Sequence, residues 1–330
     1  MKRSITSLAV SCIITLGGAQ TAAAENLTRV TAGHLIALDM APLFVAKESG
    51  CFAKYGLEVD TRFFANPGDN SAALAGGAID FSTNPFTLAF FAANSGVPIR
   101  VVSAAGGWGV MEVVADGDLG LNSMEDLRDH IEANGPRLRA AVLQGDTLEL
   151  ILVAELERMG LDTDAVEFVY FDDLLAMVES FRSGNTDILS HIKPYTSDMV
   201  ASRGATVITN NAEAWATKAP NTVVSVLEST LQERPELVEG YLRGLRCAAD
   251  IINNDLPTAL SYLEDGNYFR VSEGALEQAF NTAPAPISFD PDIESVQRVL
   301  DDLEGLGYIK PGTTADSIFR TAMIKALEQE

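Results

Sequence analysis

Two stretches of the chain show the same succession of helix, turn and strand patterns, and this internal repeat constrains the fold more than any other feature. "LAGGAIDFSTNPF" at residues 74–86 and "FRSGNTDILSHIKPY" at residues 181–195 each run from a helix through Gly-x-x-Asp into a strand. In both, a polar loop and a Pro–aromatic pair follow, and the two aspartates are Asp80 and Asp187. A single Gly-x-x-Asp is common, but two in the same context predict two lobes of one design.

The remaining chain alternates strand and helix patterns, which is typical of an α/β architecture. Residues 57–63, "LEVDTRF", alternate in polarity as a strand does. Residues 146–160, "DTLELILVAELERMG", form an amphipathic helix that begins with a capping-box-like pair, Asp146 and Glu149, and ends at Gly160. Because ligands of open α/β sheets bind at the carboxyl ends of strands, two facing lobes predict a cleft lined by both.

Residues 1–24 have the pattern of a secretion leader. "MKR" is a positively charged start, "SLAVSCIITLGG" is a short apolar core, and Ala22–Ala24 are small residues suited to cleavage. The apolar run is shorter than the roughly 20 residues that span a bilayer. We therefore expect a periplasmic mature chain that begins near Glu25 and is long enough for two domains.

Composition limits the partners of the protein. The chain carries 46 acidic and 23 basic residues, a net charge of −23. Such a surface repels phosphate backbones, which excludes nucleic acid, and it favours a soluble monomer. The mature chain has two cysteines, Cys51 and Cys247. In an oxidising compartment they could pair, or they could be two separate buried apolar residues, and the sequence leaves both possibilities open.

Signatures of catalysis are missing from the sequence. The three histidines are His34, His130 and His191, and they lie in no His/Cys/carboxylate pattern with metal-ligand spacing. Neither a Gly-x-Ser-x-Gly elbow nor a phosphate-binding loop is present. We expect a protein without enzymatic activity, cofactor or metal.

Several stretches in order carry a family resemblance. "APLFVAKESGCFAKYGLEVD" (41–60), the two lobe motifs, "GDTLELILVAELERMGLD" (145–162) and "DDLEGLGYIKPGTTADSIF" (301–319) resemble the periplasmic solute-binding proteins of ABC importers. Within them, the chain is similar to the group that captures nitrate, sulfonates such as taurine, and thiamine-pyrimidine precursors. The likeness covers essentially the whole mature chain. The related fold also includes a thiamine-pyrimidine synthase, but this sequence lacks the cysteine-rich motif of that enzyme.

The resemblance implies an α/β, type II-like fold of two lobes, each a mixed sheet flanked by helices, with the ligand cleft between them. Lobe one would comprise residues 25–107 and 212–330, and lobe two residues 108–211. The hinge would lie at "AGGWG" and near "TNNAEAW", and the insertion at residues 128–140 has no assigned role.

The resemblance also implies the function. The protein would close on one small ligand and deliver it to an ABC permease in the inner membrane. An extracytoplasmic enzyme, or a sensor that reports the ligand to a membrane partner, are alternatives on the same fold.

Candidate ligand contacts lie at strand ends and helix starts. Gln144, Asp146 and Thr147 open a helix whose free N–H groups suit an anion, although Asp146 could simply cap that helix. His191, Lys193 and Tyr195 follow a strand of lobe two, where Lys193 could balance an anion or point to water.

Other candidates lie in lobe one and at the hinge. Asn70 is at a second helix start, and Thr83 and Asn84 are at a strand end. Trp108 could stack on a flat ligand or pack at the hinge.

The loop "GHLIALDM", residues 33–40, is apolar and would be covered by a ligand and by the second lobe on closure. In it, His34 and Asp39 are candidates, with Asp39 either a helix cap or a residue that selects a ligand with a donor or positive group. Because acids outnumber bases in these loops, a neutral heterocycle or zwitterion competes with a sulfonate.

Overall fold

The structure is a computed structural model that describes residues 27–215, 218–283 and 285–330. The predicted leader lies outside the described residues. The described chain forms ten strands: β1 (Thr28–His34), β2 (Leu57–Phe63), β3 (Phe81–Pro85), β4 (Ile99–Ala104), β5 (Met111–Ala115), β6 (Arg139–Leu143), β7 (Glu167–Phe171), β8 (Ile188–Ile192), β9 (Thr206–Asn210) and β10 (Thr222–Leu227).

Helices follow or separate these strands. Those of the first half are α1 (Ala41–Glu48), α2 (Cys51–Lys54), α3 (Pro67–Ala75), α4 (Phe86–Asn94), α5 (Met124–Glu132), α6 (Thr147–Arg158), α7 (Leu174–Arg182) and α8 (Tyr195–Arg203). Those of the second half are α9 (Asn211–Ala214), α10 (Glu228–Glu233), α11 (Pro235–Asn254), α12 (Leu256–Asp265), α13 (Ala275–Asn281), α14 (Ile293–Gly305) and α15 (Ala322–Leu327). None of the helices in the described ranges is long and apolar enough to cross a membrane.

Two five-stranded mixed sheets have the same pattern. Their orders are β2-β1-β3-β10-β4 and β7-β6-β8-β5-β9. In each sheet the first three strands are parallel, and the last two pairings are antiparallel. Strands β3 and β8 hold equivalent places, as their shared motif predicts. The two-lobed α/β fold is confirmed, whereas the lobe boundaries after residues 107 and 211 stay predictions.

The Gly-x-x-Asp motif has the same structural role in both sheets. The Asp80 carboxylate accepts a hydrogen bond from the Thr31 N–H at 2.9 Å, and the Asp80 N–H donates to the Thr31 carbonyl at 2.8 Å. Asp187 repeats both bonds with Arg139, each at 2.8 Å. Each aspartate therefore ties the strand of its motif to the parallel strand beside it, β3 to β1 and β8 to β6.

The chain passes between the sheets twice, and the two crossovers lie side by side. One joins β4 to β5 and the other joins β9 to β10. Trp108 forms an antiparallel bridge with Pro220, and the Asn221 N–H donates to the Gly107 carbonyl at 3.3 Å. These are the two segments in which the sequence predicts the hinge. The insertion at residues 128–140 contains the end of α5 and the loop that leads into β6.

A disulfide joins Cys51 at the start of α2 to Cys247 in α11, across 196 residues of sequence. It lies beside an aromatic stack in which the Tyr241 ring is 3.9 Å from Phe81 and 5.0 Å from Phe52, between centroids. Of the two possibilities that the sequence left open, the structure has the paired one. Disulfides persist in oxidising compartments, so the pair is consistent with export.

Removing this disulfide should destabilise the protein. A cross-link across so long a segment restricts the unfolded chain, and its loss typically costs about 2–5 kcal/mol. We expect the double variant Cys51→Ala/Cys247→Ala to show this loss in the free energy of unfolding, measured in urea. Reductant should lower the stability of the wild-type protein and leave that of the double variant unchanged. Equal stability of both proteins without reductant would contradict the prediction.

Candidate functional site

A narrow cleft lies between the two sheets, where the carboxyl ends of strands from both lobes meet. Lobe one contributes the loop after β1, the start of α3 and the end of β3, and lobe two contributes the starts of α6 and α7 and the end of β8. The central cavity is about 20 Å³ and is lined by Leu35, Ile36, Ala37, Pro67, Pro85, Asp146, Thr147, Leu148, Leu174, Ile192, Asn221 and Thr222. This volume holds about one water molecule, so a larger solute can enter only when the lobes separate.

Hydrogen bonds cross the cleft on both sides of this cavity. The Leu38 N–H in the loop after β1 donates to the Lys193 carbonyl after β8 at 2.8 Å. The Asn66 side chain at the start of α3 donates to the Asp172 carbonyl before α7 at 3.1 Å. The apolar loop singled out from the sequence is therefore covered by lobe two.

Two larger cavities flank the centre, and both have walls from each lobe. One, called here the cavity beside α6, has about 240 Å³ and is lined by Asn66 and Pro67 at the start of α3 and by Gln144, Asp146 and Phe171. The other, the aromatic-side cavity, has about 310 Å³, and its lining includes His34, Phe63, Tyr195, Tyr268 and the cation Arg270. The three cavities form the candidate ligand site.

Asp146 and Thr147 lie at the centre of the cleft and are buried. Asp146 Oδ1 caps α6 by accepting from the Leu148 N–H at 3.0 Å, and it also accepts from the Thr147 hydroxyl at 3.1 Å. Asp146 Oδ2 is buried and has no hydrogen-bond partner in the described chain. Burial raises the pKa of Asp146 to about 6, although the bond from Leu148 opposes this shift.

The predicted capping box at this helix has a modified form. Glu149 Oε2 accepts from the Gly145 N–H at 2.6 Å, one residue before the cap. The N-terminus of α6 therefore already carries two carboxylates, Asp146 and Glu149. Of the two predicted interpretations of this helix start, capping is the one that the hydrogen bonds display.

Asp39 is buried beneath the loop after β1 and is bonded to the second crossover. Its Oδ2 accepts from the Thr222 hydroxyl at 2.6 Å and from the Thr222 N–H at 3.0 Å, and Asn221 donates to Oδ1 at 3.3 Å. Burial raises the pKa of Asp39 to about 6 against the effect of these donors. Gly106 leaves room for this arrangement, since a Cβ there would lie 2.4 Å from the Asp39 carbonyl oxygen.

Both candidate histidines are neutral at pH 7. His34 lies at the cleft, where its Nδ1 is 2.8 Å from the Leu35 carbonyl, and its ring packs edge-on against Phe44. His191 is fully buried inside lobe two with Nε2 3.0 Å from the Leu174 carbonyl. Burial lowers the pKa of each to about 4. Neither ring has a nucleophile beside it among its described partners.

Lys193 has its charge satisfied inside the protein. Its Nζ lies 2.8 Å from a Glu112 carboxylate oxygen and donates to the Thr282 hydroxyl at 2.9 Å. The side chain is about 5% exposed, so this is a buried ion pair beside the cleft rather than a free cation within it. Tyr195 is buried and lines the aromatic-side cavity, with its hydroxyl accepting from the Arg270 N–H at 3.5 Å.

The candidates of lobe one hold α3 onto the sheet. Asn70 is fully buried, donates to the Thr83 carbonyl at 2.9 Å and accepts from the Ser82 hydroxyl at 3.0 Å. Asn84 donates to the Pro67 carbonyl at 3.0 Å. Asn70, Thr83 and Asn84 position the start of α3, and none of the three lines a cavity of the candidate site.

Two further candidates lie at the edges. Gln144 is exposed in the cavity beside α6. Trp108 lines a separate cavity of about 410 Å³ between the crossovers and α11–α13, with the Lys218 ammonium 5.7 Å from its ring centroid. Trp108 therefore packs beside the crossovers and lines none of the three cavities of the cleft.

The sequence interpretation did not include several residues that line the cleft. Leu174 and Phe171 could have been found, because "YFDDLL" follows a strand end equivalent to those already considered. Tyr268 and Arg270 come from a loop beyond α12, for which no local pattern gives a signal. Within the described ranges, no group of three His, Cys, Asp or Glu side chains could hold a metal ion.

Comparisons with solved structures define the class of fold. The alkanesulfonate-binding protein SsuA from Xanthomonas axonopodis pv. citri, bound to MOPS, has a TM-score of 0.74 at 15% identity, covering 89% of this chain and 98% of that chain. The periplasmic nitrate-binding protein NrtA from Synechocystis PCC 6803 has a TM-score of 0.76 at 15% identity, with coverage of 92% and 89%. The chain therefore has the periplasmic binding protein fold.

The family follows from the sequence itself. Residues 23–259 match the model of the NMT1-like family, which is more than half of the chain. The protein belongs to the NMT1-like family. No curated protein matches the sequence.

The Asp39 carboxylate should be needed for stability. The Asp39 carboxylate accepts hydrogen bonds from Asn221 and Thr222. In Asp39→Asn, the amide N–H₂ group would replace one of the accepting oxygens, and a buried donor without an acceptor costs about 1–3 kcal/mol. We expect that loss in the free energy of unfolding measured in urea. Asp162→Asn is the control, because Asp162 is exposed and makes no side-chain cap bond. An Asp39→Asn variant as stable as the wild-type protein would rule out this role of the carboxylate.

Asp146 should make stability depend on pH. Because its folded pKa is about 6 against an ordinary 3.8, the folded protein holds this proton more tightly than the unfolded chain. The stabilisation is complete below about pH 4 and is lost as the pH rises to about 6. A shift of about two units corresponds to about 3 kcal/mol.

The measurement is the difference in unfolding free energy between wild type and Asp146→Asn from pH 4 to pH 7. We expect wild type to lose about 2 kcal/mol relative to the variant over this range, because the carboxyl of the unfolded chain is already partly ionised at pH 4. The two buried histidines lower stability on acidification, but they are common to both proteins and cancel in the difference. A difference that stays constant with pH would refute the prediction.

Proposed function

We propose that the protein is an exported, non-enzymatic receptor that closes its two lobes on one small organic solute and delivers it to an ABC permease. The observation that carries the proposal is the cleft, whose apolar walls come from both lobes and meet around a central cavity. Membership of the NMT1-like family and the fold shared with sulfonate- and nitrate-binding proteins support it. The leader pattern and the disulfide support export to the periplasm.

The mechanism is a shift between an open and a closed arrangement of the lobes. A solute that contacts Ile36 and Pro67 from lobe one and Leu148 and Leu174 from lobe two binds the closed arrangement better than the open one. Closure then covers the apolar loop after β1 and withdraws the solute from water. The side-by-side crossovers supply the hinge for this motion.

Chemistry at the cleft favours binding over catalysis. The two buried histidines are neutral and bonded to backbone carbonyls, and Lys193 is held by Glu112. General acid–base catalysis needs a group that can reach the substrate and exchange a proton near the working pH. Asp146 has a raised pKa, but its Oδ1 caps α6 and the Thr147 hydroxyl bonded to that oxygen is fully buried, so a role in solute recognition is favoured.

A solute panel tests the proposal. We expect at least one sulfonate, nitrate, carboxylate, pyrimidine or amine to raise the melting temperature and to reduce the radius of gyration in solution scattering. At one hundred times its dissociation constant, a solute that binds only the folded protein adds about 2.7 kcal/mol of stability. A panel without any binder and without compaction would overturn the proposal.

A blocking variant shows where the solute binds. Ala37 lines the central cavity, so the side chain of Ala37→Leu would fill it and should weaken solute binding at least tenfold in calorimetric titration. Ala133→Leu, the same change at an exposed position after α5, should bind as the wild-type protein does. Melting curves of both variants separate a blocked cleft from loss of the fold.

A further inference from the structure

One oxygen in the cleft lacks the partner that its chemistry requires. Asp146 is 3% exposed, and its Oδ1 is used by the Leu148 N–H and the Thr147 hydroxyl. Its Oδ2 is buried and accepts no hydrogen bond from any group in the described chain. A buried carboxylate oxygen is costly unless it is paired, and an ionised carboxylate can only accept. The group that completes Asp146 must therefore be a donor.

The surroundings of Asp146 oppose an anion. The first-turn residue Glu149 already occupies the Gly145 N–H, and across the cleft the Gly68 N–H at the start of α3 donates to the Asn66 side chain at 2.7 Å. The backbone donors with which helix starts usually hold oxoanions are thus partly used by the protein's own acceptors.

No cation offsets these carboxylates at the centre. The residues that line the central cavity and the cavity beside α6 include neither Lys nor Arg in the described chain. Lys193 is paired with Glu112, and Arg270 is exposed in the aromatic-side cavity. A sulfonate or nitrate beside Asp146 would meet like charge in a setting where water screens little.

The walls around this oxygen fix the rest of the ligand. Five aliphatic residues line the central cavity together with Asp146, namely Leu35, Ile36, Leu148, Leu174 and Ile192, and the remaining polar residues of the lining are Thr147, Asn221 and Thr222. Such walls favour a compact apolar body, while a few polar groups set the orientation.

We infer that the solute is a small primary amine whose ammonium group donates to Asp146 Oδ2 and whose apolar body lies between Ile36 and Leu174. Because the central cavity of this structure holds about one water molecule, the lobes with the solute bound would stand further apart than they do here. This inference rests on the proposed function and specifies the class of its ligand. An amine differs in charge from an alkanesulfonate and from nitrate, for which the two structurally similar proteins are named. Although burial raises the pKa of Asp146 to about 6, the group is still mostly ionised at neutral pH.

The test uses ligands that share one body and differ in one group. Propyl and benzyl compounds carrying an ammonium, a hydroxyl, a carboxylate or a sulfonate are titrated by calorimetry into the mature protein at about 150 mM salt, which limits attraction to the acidic surface. With either body we expect the amine to bind at least tenfold more tightly than the sulfonate and the carboxylate.

Asp146→Asn is the decisive variant, because asparagine caps helices about as well as aspartate and the fold should persist. Its amine affinity should fall at least tenfold, as expected for a charge-assisted bond. Asp173→Asn is the matched control, because this substitution removes the same charge from a helix cap. Asp173 caps α7 by accepting from the Leu175 and Ala176 N–H groups, and it lines none of the described cavities of the cleft. Its amine affinity should stay within twofold of wild type.

The possible results separate the inference from the function on which it rests. Binding and compaction with a sulfonate or carboxylate but not with the amines would overturn the inference and keep the proposed function. An Asp146→Asn variant that binds amines as wild type does would also overturn it. Absence of binding by every compound here and in the broader panel would overturn the proposed function itself.

Discussion

The two hydrogen bonds between Asp80 and Thr31 fix the register of β3 against β1, and so they determine where these two strands end relative to each other. Asp187 and Arg139 do the same in the second sheet, with the same backbone and side-chain atoms. Since strands tied in this way cannot slide, the loops that follow them stay at one edge of each sheet. This alignment places the loop after β1, the end of β3, the start of α6 and the end of β8 at the cleft, because each of them continues from one of the tied strands.

The cleft shows how one fold can present different chemistry. Helix N-termini from both lobes point toward the ligand region, as in any protein that uses them for anions. Here Asp146, Glu149 and Asn66 accept from donors at those helix starts, so the same geometry presents acceptors instead. Function is determined by such side chains and not by the fold, which is why a shared fold at about 15% identity leaves the ligand open.

The architecture was largely predictable, because it follows from patterns that are local in the sequence. Strand alternation, the helix that ends at Gly160 and the repeated Gly-x-x-Asp each describe a few consecutive residues. Chain order alone also brings the apolar loop after β1 to a strand end, whereas the lobe boundaries and the hinge stay predictions. A disulfide between Cys51 and Cys247 could not be derived, because it depends on how α2 and α11 pack.

The site was predictable at the level of segments and not at the level of side chains. His191, Lys193 and Tyr195 were grouped because they lie at the end of one strand. That strand ends at Ile192 and α8 begins at Tyr195, so the turn between them carries the three side chains to different surroundings: a carbonyl inside lobe two, a Glu112 carboxylate and the cleft. Asp39 was expected at the cleft, but its partners Asn221 and Thr222 are some 180 residues away in the chain. Such pairings are properties of the packed structure.

The adjacency of the two crossovers has a consequence for the motion of the lobes. Two lobes on a single strand could twist and swing about many axes when open. Because Trp108 and Pro220 bridge the two connections, these connections form a two-stranded link that bends more easily than it twists. Under the proposed closure, an open protein with this link would explore few orientations, and closing it would cost little orientational entropy. More of the contact energy with the solute would then remain as binding affinity.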